Sequence, residues 1–378
     1  MTAQDSRNLA EIIDRLITVP IFSGSSLASK PVVLDLYEAA RKKIETPLSL
    51  FATEQIISSA EKAATPKTVV IATGFIVPPW MEAETDGPVG AVTLARSLNL
   101  GLDLTPIIVT ERSAVDKTRS LLQAGGFRIK DEIGEAKHKK RTGTVIGFTS
   151  EPSEATTEAI ELISKTSPTS VIFIEKTSPN RVGVFHSGVG VDVSPLSAKV
   201  DRLVEEAKSA GIPTIGIGDA GNEIGMGLIE ETVRKILPTG TDCGCPCHNG
   251  VASSVPTDSL IVTGTSNWGA SAIEAMLSFQ LKANELLHDS SMEVNLIARA
   301  AELGFIDPAS GFADPGVDAI PAKIHGSLLE ILNFITKSRM GDSLFVKKYK
   351  EYTMDKEKLA KEVNKQKEEE EERSAKKK

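Results

Sequence analysis

The densest group of chemically able residues is Gly216-Ile217-Gly218-Asp219-Ala220-Gly221-Asn222-Glu223-Ile224-Gly225-Met226-Gly227, with five glycines in twelve positions. Glycine lets backbone come close to a ligand, and carboxylates on such a turn suit a metal ion or a substrate ammonium. Gly216, Gly218 and Gly221 also fit the dinucleotide fingerprint G-x-G-x-x-G. In that case Asp219 and Glu223 would lie inside the turn that cradles a pyrophosphate and would repel it unless a cation intervened. A structural turn with an aspartate cap is the plain alternative.

Three further segments carry similar groups. Thr73 and Gly74 begin a Gly/Pro-rich stretch that reaches Glu84, Thr85, Asp86, Gly87 and Pro88. Glu84 and Asp86 there precede an expected helix, where Thr85 or Asp86 could equally be a simple cap. Glu175-Lys176 is followed by Asn180, Arg181 and His186. A Glu-Lys pair at the end of an apolar strand is not the pattern of a solvated face, although a surface ion pair remains the alternative. Thr265-Ser266-Asn267 could donate hydrogen bonds to a carboxylate or an oxyanion, or could cap a helix. Elsewhere Cys243, Cys245, Cys247 and His248 offer four zinc-ligand types, but not in the usual CxxC spacing, and an ordinary loop is the alternative. His325 follows Asp318 by seven residues. It is either a structural histidine or a catalytic one.

The elements that must position these groups are legible as alternating patterns. Apolar residues at helical spacing run from Leu9 to Ile17 and from Leu34 to Ile44, so residues 1–65 are expected to be helical. Short β-branched runs of the kind buried on both faces fall at Lys67–Thr73, Leu104–Thr110, Thr144–Thr149, Ser170–Glu175, Pro213–Ile217 and Leu260–Thr263. Helical patterns separate or follow them at 88–98, 112–124, 153–164, 195–210, 226–236 and 268–287, and another falls at 324–335. The alternation predicts an α/β fold, a doubly wound and mostly parallel sheet with helices on both faces. The expected organisation is a helical N-terminal segment at 1–65 packed on the core, an α/β domain at 66–337, and a charged helical or disordered tail at 338–378. Because ligands of such sheets bind beyond the carboxyl ends of the strands, the loops named above are expected to meet there.

Composition narrows the function classes. Lysine and arginine number 43 against 51 aspartates and glutamates, for a net charge of −8. That balance argues against a nucleic-acid partner, which would need a basic face. Hydrophobic residues at 40% and charged residues at 25% are ordinary globular usage and exclude wholesale disorder. No apolar run approaches the roughly 20 residues of a membrane span. Three cysteines are too few for a disulfide framework and point to a reducing compartment, so a cytoplasmic protein is expected, and a homo-oligomer is compatible with this class.

Four strings carry a family resemblance: TGFIVPPW with ETDGPVGA (Thr73 to Ala91), FIEKTSPNRVGVFHSGVGVDVS (Phe173 to Ser194), GIGDAGNEIGMG (Gly216 to Gly227) and TSNWGA (Thr265 to Ala270). Together they resemble the D-glutamate cyclase family, and within it the C-terminal domain of the animal mitochondrial enzymes. The segment from Gly304 to His325 resembles that domain's last motif. It has VDAI (Val317 to Ile320) where a VDGL-like string is expected, and Ala220 stands where glycine is commoner. The resemblance covers roughly residues 66–335. It implies a hydro-lyase that converts D-glutamate to 5-oxo-D-proline and water, and it makes the mitochondrial matrix the alternative location.

The residues suit that chemistry. Lactam closure needs an unprotonated amine, a polarised γ-carboxyl carbon and a proton for the departing oxygen, and positioning alone can supply roughly 7–11 kcal/mol. Asp86, Glu175, Asp219 and Glu223 are the expected catalytic groups. Thr73, Gly74, Glu84, Lys176, Asn180, His186, Gly218, Asn222, Ser266 and Asn267 are the expected substrate contacts. The sequence fixes no cofactor; a divalent cation, Mg²⁺ or Mn²⁺, bridging those four carboxylates is the one candidate. The competing readings are a Rossmann-like nucleotide- or dinucleotide-binding protein and a non-catalytic protein that binds an acidic amino acid.

Overall fold

The computed structural model describes residues 2–20, 32–137, 139–340 and 356–375. Three helices come first: α1 (Ala3–Ile17), α2 (Val33–Lys43) and α3 (Leu48–Lys62). The strand–helix alternation follows with β1 (Lys67–Thr73), the short pair β2 (Ile76–Val77) and β3 (Glu82–Ala83), α4 (Pro88–Leu102), β4 (Leu104–Glu111) and α5 (Val115–Ala124). It continues through β5 (Arg128–Ile129), α6 (Ile133–Lys137), β6 (Thr142–Phe148), α7 (Pro152–Thr166), β7 (Val171–Ile174), α8 (Arg202–Ser209) and β8 (Thr214–Gly218). Then come α9 (Glu230–Ile236), β9 (Ser259–Val262), α10 (Ser266–Leu281), α11 (Ser290–Glu302), the hairpin β10 (Gly316–Val317) and β11 (Ile320–Pro321), and α12 (Ala322–Arg339). A last helix, α13 (Lys356–Ala375), holds the glutamate run of the charged tail, while the terminal Lys376 to Lys378 lie outside the described residues.

Among the described residues seven strands form one sheet in the order β5-β6-β4-β1-β7-β8-β9, and every pairing is parallel. The expected doubly wound α/β architecture is therefore present. β1 is the hinge of the winding. The chain steps outward from β1 to β4 and β6, then crosses to the other side of β1 to lay down β7, β8 and β9. Loops leaving β1 and β7 thus diverge to opposite sides, and the gap between them is the switch-point crevice of such sheets.

The strands bury both faces, as their β-branched runs require. Val69 and Ile71 of β1 join one apolar layer with Leu9, Ile13, Leu36 and Ile56 of the N-terminal helices and with Leu94 and Ile273 of α4 and α10. Val70 and Ala72 face the other layer with Ala155, Ala159, Leu203 and Ala207 of α7 and α8. The N-terminal helices are also stitched to the sheet by polar bonds: the Ile17 carbonyl accepts from the Gly264 amide at 2.7 Å and from the Thr263 hydroxyl at 3.1 Å. No helix among the described residues is long and apolar enough to cross a membrane.

Four expected helices are shorter than their apolar periodicity suggests, and the one at 112–124 begins as a 3₁₀ turn over Arg112–Ala114. The pattern at 195–210 yields only α8, because the residues before it bond to other loops: the Lys199 amide donates to Thr149 O and the Ala198 amide to Glu111 Oε1. The pattern at 226–236 begins as a 3₁₀ turn, where Gly227 lies so close to Val255 that a Cβ would stand 2.4 Å from its carbonyl carbon. The pattern at 268–287 stops at Leu281, where Lys282 takes a left-handed φ of 55° and the chain turns.

Candidate functional site

Three loops and one hairpin bring acids to the crevice between β1 and β7. Asp86 arrives on the loop after β1, Glu175 directly after β7, and Asp219 and Glu223 on the turn after β8. Oxygens of Asp86, Asp219 and Asp318 all lie within 4.8 Å of one another, and so do those of Glu175, Asp219 and Glu223. Asp219 belongs to both sets. Sequence reasoning considered Asp318 only beside His325, and the structure places it with the crevice acids instead. It gets there because the β10–β11 hairpin docks on the loop after β1: the Thr85 amide donates to Ile306 O at 2.9 Å and the Thr85 hydroxyl to Gly316 O at 2.8 Å.

Each acid is held differently. The Asp86 carboxylate accepts the Ser266 amide at 2.7 Å and the Asn267 amide at 2.8 Å, so it caps the start of α10 rather than its own helix. The Asn267 carbonyl oxygen returns the contact, accepting the Gly87 and Gly90 amides at 3.0 and 2.7 Å at the start of α4. Two helix N-termini are thereby locked together across the crevice, each satisfied by a side chain from the other loop. Gly90 permits this crossing, since a Cβ there would stand 3.0 Å from Asn267 Cα. Glu223 folds back into its own turn, where both its oxygens accept amides: Asp219 at 3.0 Å, Ala220 at 2.7 Å and Gly221 at 2.7 Å. Glu175 accepts the Ser266 hydroxyl at 2.6 Å and has a left-handed φ of 46°, which turns it off the strand axis. Asp318 and Ala319 form the two-residue hairpin turn with φ of 53° and 62°, and Asp307 clamps it by accepting the Ala319 amide at 2.9 Å. A turn of this kind prefers glycine at its second position, which is the position where the family-like string departs to alanine.

Burial, and then the concentration of negative charge, raises the carboxyl pKa values here. Burial, and then Asp318 and Asp86, hold Glu84 well above the usual carboxylate range. Burial pushes Asp86 up to about 6 despite its three amide donors. Glu175 is held well above the usual range by burial and then Glu223, and Asp219 by burial and then Glu175 and Asp318. Asp318 is raised in the same direction by burial and then Asp86. The crevice therefore retains protons at neutral pH, which fits paired acid and base work. Asp219, half-buried like Glu175 and Asp318, has no protein donor on its carboxylate among the described residues. Buried Glu84 Oε1, Asp318 Oδ2 and Thr73 Oγ1 likewise have no partner.

Other expected contacts are bonded to groups of the protein itself. Lys176 is fully buried in an ion pair with Glu111 and donates to Gly74 O at 2.7 Å. Glu111 carried no signal in the sequence, because it falls between the strand expected at Leu104–Thr110 and the helix expected at 112–124. The Asn180 side chain donates to Gly250 O at 2.8 Å, and the Asn222 side chain to His186 O at 2.9 Å. The His186 ring faces sulfur, with Nε2 at 3.2 Å from Cys245 Sγ and 3.5 Å from Cys247 Sγ. His248 is turned toward Asp242 Oδ1 at 3.1 Å on the surface. His325 is buried against Trp268, whose indole N–H donates to Nδ1 at 2.8 Å. A cavity of about 560 Å³ lined by Lys67, Asp103, Lys140 and Arg141 opens at the opposite rim, where the strands begin, and contains none of the crevice acids.

The dinucleotide reading finds no cradle. The amides of Asp219, Ala220 and Gly221, which a pyrophosphate would need, are already taken by Glu223. The glycines serve that internal packing: a Cβ at Gly218 would stand 2.9 Å from the Glu223 carboxyl carbon, and one at Gly216 would stand 2.4 Å from Ile224 O.

Comparison with known proteins agrees with the sequence resemblance. A family model described as D-glutamate cyclase-like, C-terminal, matches residues 39–333. Over 239 residues the chain is 26% identical to the mitochondrial D-glutamate cyclase of Homo sapiens, a stretch covering 60% of this chain and 35% of that protein.

Proposed function

The chain belongs to the D-glutamate cyclase-like family, and from that premise we propose that it is a lyase that closes D-glutamate to 5-oxo-D-proline with release of water. It spans only about a third of the human relative's length, so the activity named for that protein is carried over here as a proposal. The observation that carries it is the gathering of Asp86, Glu175, Asp219, Glu223 and Asp318 in one crevice, with the carboxyl of Asp219 unbonded.

The chemistry follows from what such a crevice does to a zwitterionic substrate. An ammonium group is attracted to the acids, and an ionised carboxylate beside it takes its proton, leaving the amine free to attack. Asp219 is the base we assign, because it alone belongs to both oxygen triads and the protons retained at neutral pH then sit on its neighbours. A neighbouring carboxyl that has kept its proton at neutral pH supplies it to the γ-oxygen as the C–O bond breaks, and Asp318 and Glu175 are placed for that step. Two protons leave nitrogen in all, the first before attack and the second as the ring closes, and two reach the oxygen that departs as water, so the crevice returns to its starting charge after each turnover. Asp86 and Glu223, each fixed by backbone amides, orient rather than transfer.

The two oxygen triads that share Asp219 also fit a hard divalent cation, since their donors are carboxylate oxygens with unused lone pairs. Such an ion would polarise the γ-carboxyl and offset the charge of the substrate's own carboxylates.

The test is incubation of the full chain with D-glutamate and with L-glutamate, with and without Mg²⁺ or Mn²⁺, and chromatographic detection of 5-oxoproline. Product from the D isomer, lost by about a hundredfold or more in Asp219→Asn, is the expected result. No product from D-glutamate under any of these conditions removes the proposal. A rise in melting temperature with glutamate but no product would select the non-catalytic binding reading instead.

A further inference from the structure

The sulfur cluster lies outside the carboxylate crevice and has no part in the proposed reaction. We propose that Cys243, Cys245, Cys247 and His186 bind one zinc ion in a closed structural site.

Donor geometry is the first ground. Cys243 Sγ stands 3.1 Å from Cys245 Sγ and 3.4 Å from Cys247 Sγ. His186 Nε2 stands 3.2 Å from Cys245 Sγ and 3.5 Å from Cys247 Sγ. A tetrahedral zinc with Zn–S of about 2.3 Å and Zn–N of about 2.0–2.1 Å has S···S edges of about 3.8 Å and S···N edges of about 3.6 Å. Those four separations lie inside these edges, and all four donor atoms lie within 4.8 Å of one another. Lone pairs aimed at one point repel each other unless a cation lies there. Three thiolates and one imidazole are soft and borderline donors, the set that selects zinc over magnesium or calcium. Four protein donors leave no open position, so the site is structural rather than catalytic.

Its construction is the second ground. The ligands come from two segments far apart in the chain, the loop after β7 and the loop after α9, docked backbone to backbone. Gly190 is so close to Cys243 that a Cβ would stand 2.2 Å from its carbonyl oxygen, and Gly250 closes the second loop with a Cβ position 2.1 Å from Gly240 O. Gly244, at φ 74°, lets the chain reverse between the first two cysteines. Two donors face the sulfurs from outside: the Asn180 side-chain amide to Cys247 Sγ at 3.5 Å and the Cys247 backbone amide to Cys245 Sγ at 3.5 Å. Such donors stabilise thiolate charge around a metal.

The ion clips the two loops that border the turn carrying Asp219 and Glu223. His186 O receives the Asn222 side chain at 2.9 Å, and Ser253 N donates to Gly221 O at 3.0 Å, so both ends of the clip reach that turn.

The experiment measures metal by mass spectrometry in the full chain purified from zinc-supplemented growth, together with a count of free thiols after denaturation. About one zinc per chain and three titratable thiols are expected, with the metal lost in Cys245→Ser and His186→Asn but kept in His248→Ala. Should the cysteine variant fail to fold, cobalt titration of the chelator-stripped wild type replaces it, and the sulfur-to-cobalt charge-transfer band and intense ligand-field bands of tetrahedral cobalt are the expected signature. Chelator should also lower the melting temperature of the wild type and leave His186→Asn unmoved. Less than about a tenth of an equivalent of zinc with no cobalt signature overturns the proposal. So does a single titratable thiol, which means a disulfide. Metal lost in His248→Ala but kept in His186→Asn overturns the ligand assignment.

Discussion

Asp219 and Glu223 sit four residues apart on one turn, and their surroundings give them opposite duties. Glu223 has three backbone amides on its carboxylate; Asp219 has neighbouring acids and no donor. Glu223→Gln should therefore destabilise the fold by roughly 1–3 kcal/mol, because an amide side chain presents N–H to N–H. Asp219→Asn should do the reverse. A carboxyl whose folded pKa is raised binds its proton more tightly in the folded chain. Its favourable contribution is fully present below the unfolded value, at about pH 4, and is lost as pH rises through the folded one. Asp219 is held well above the usual range, so at neutral pH it costs the metal-free fold stability that asparagine does not. The variant should melt higher than wild type by roughly 1–2 kcal/mol near pH 8 and by almost nothing near pH 4, while losing turnover. Calorimetric scans of both proteins across that range decide it, and a lower melting temperature for the variant would make Asp219 a structural turn residue.

Two helices share the task of aiming these acids, and neither could be recognised as doing so from its own segment. Asp86 reads as a local cap of α4, but the structure uses it to cap α10, with Asn267 of α10 capping α4 in exchange. Capping across space leaves no signal in sequence spacing, which is why cap and site residue stood as competing alternatives when one side chain serves as both. The strands were legible because burial on both faces demands an unbroken β-branched run, and Lys67–Thr73 is bounded as its sequence predicts. Helix limits near the site were not, because glycine contacts and long-range carbonyls at residues such as Lys199 and Gly227 override periodicity. Asp318 was missed as a site residue for a related reason, since its position depends on the docking of a hairpin whose two strands are only two residues each. The shared cap makes a prediction of its own. Asn267→Ala leaves the Gly90 amide buried without an acceptor and the Gly87 amide with Asp86 Oδ1 alone, which should cost roughly 1–3 kcal/mol. It should also release Asp86, so turnover falls further than the loss of folded protein explains; activity normalised to the folded fraction by circular dichroism checks this. Unchanged specific activity would mean that Asp86 holds its position without the exchange.

At the scale of the molecule, the N-terminal helices bear directly on the crevice. Leu9, Ile13, Leu36 and Ile56 lie in the same apolar layer as Ile217, Ile261 and Trp268, so no boundary of solvent separates them from the sheet. The Ile17 carbonyl fixes Thr263 and Gly264, two residues before the Ser266 amide that holds Asp86. Support therefore runs from the first helix through the end of β9 to the acid cluster. A chain beginning at residue 66 would expose that layer along β9 and α10 and would free the loop that starts α10. The expected outcome is a species with native-like far-ultraviolet dichroism but weakened near-ultraviolet signal, binding of a hydrophobic dye and no cyclase activity. Retention of the full-length melting temperature and turnover would show instead that 66–337 folds and works alone. The acids are destabilising neighbours for one another, and a crevice of that kind keeps its shape only while the layer behind it stays closed.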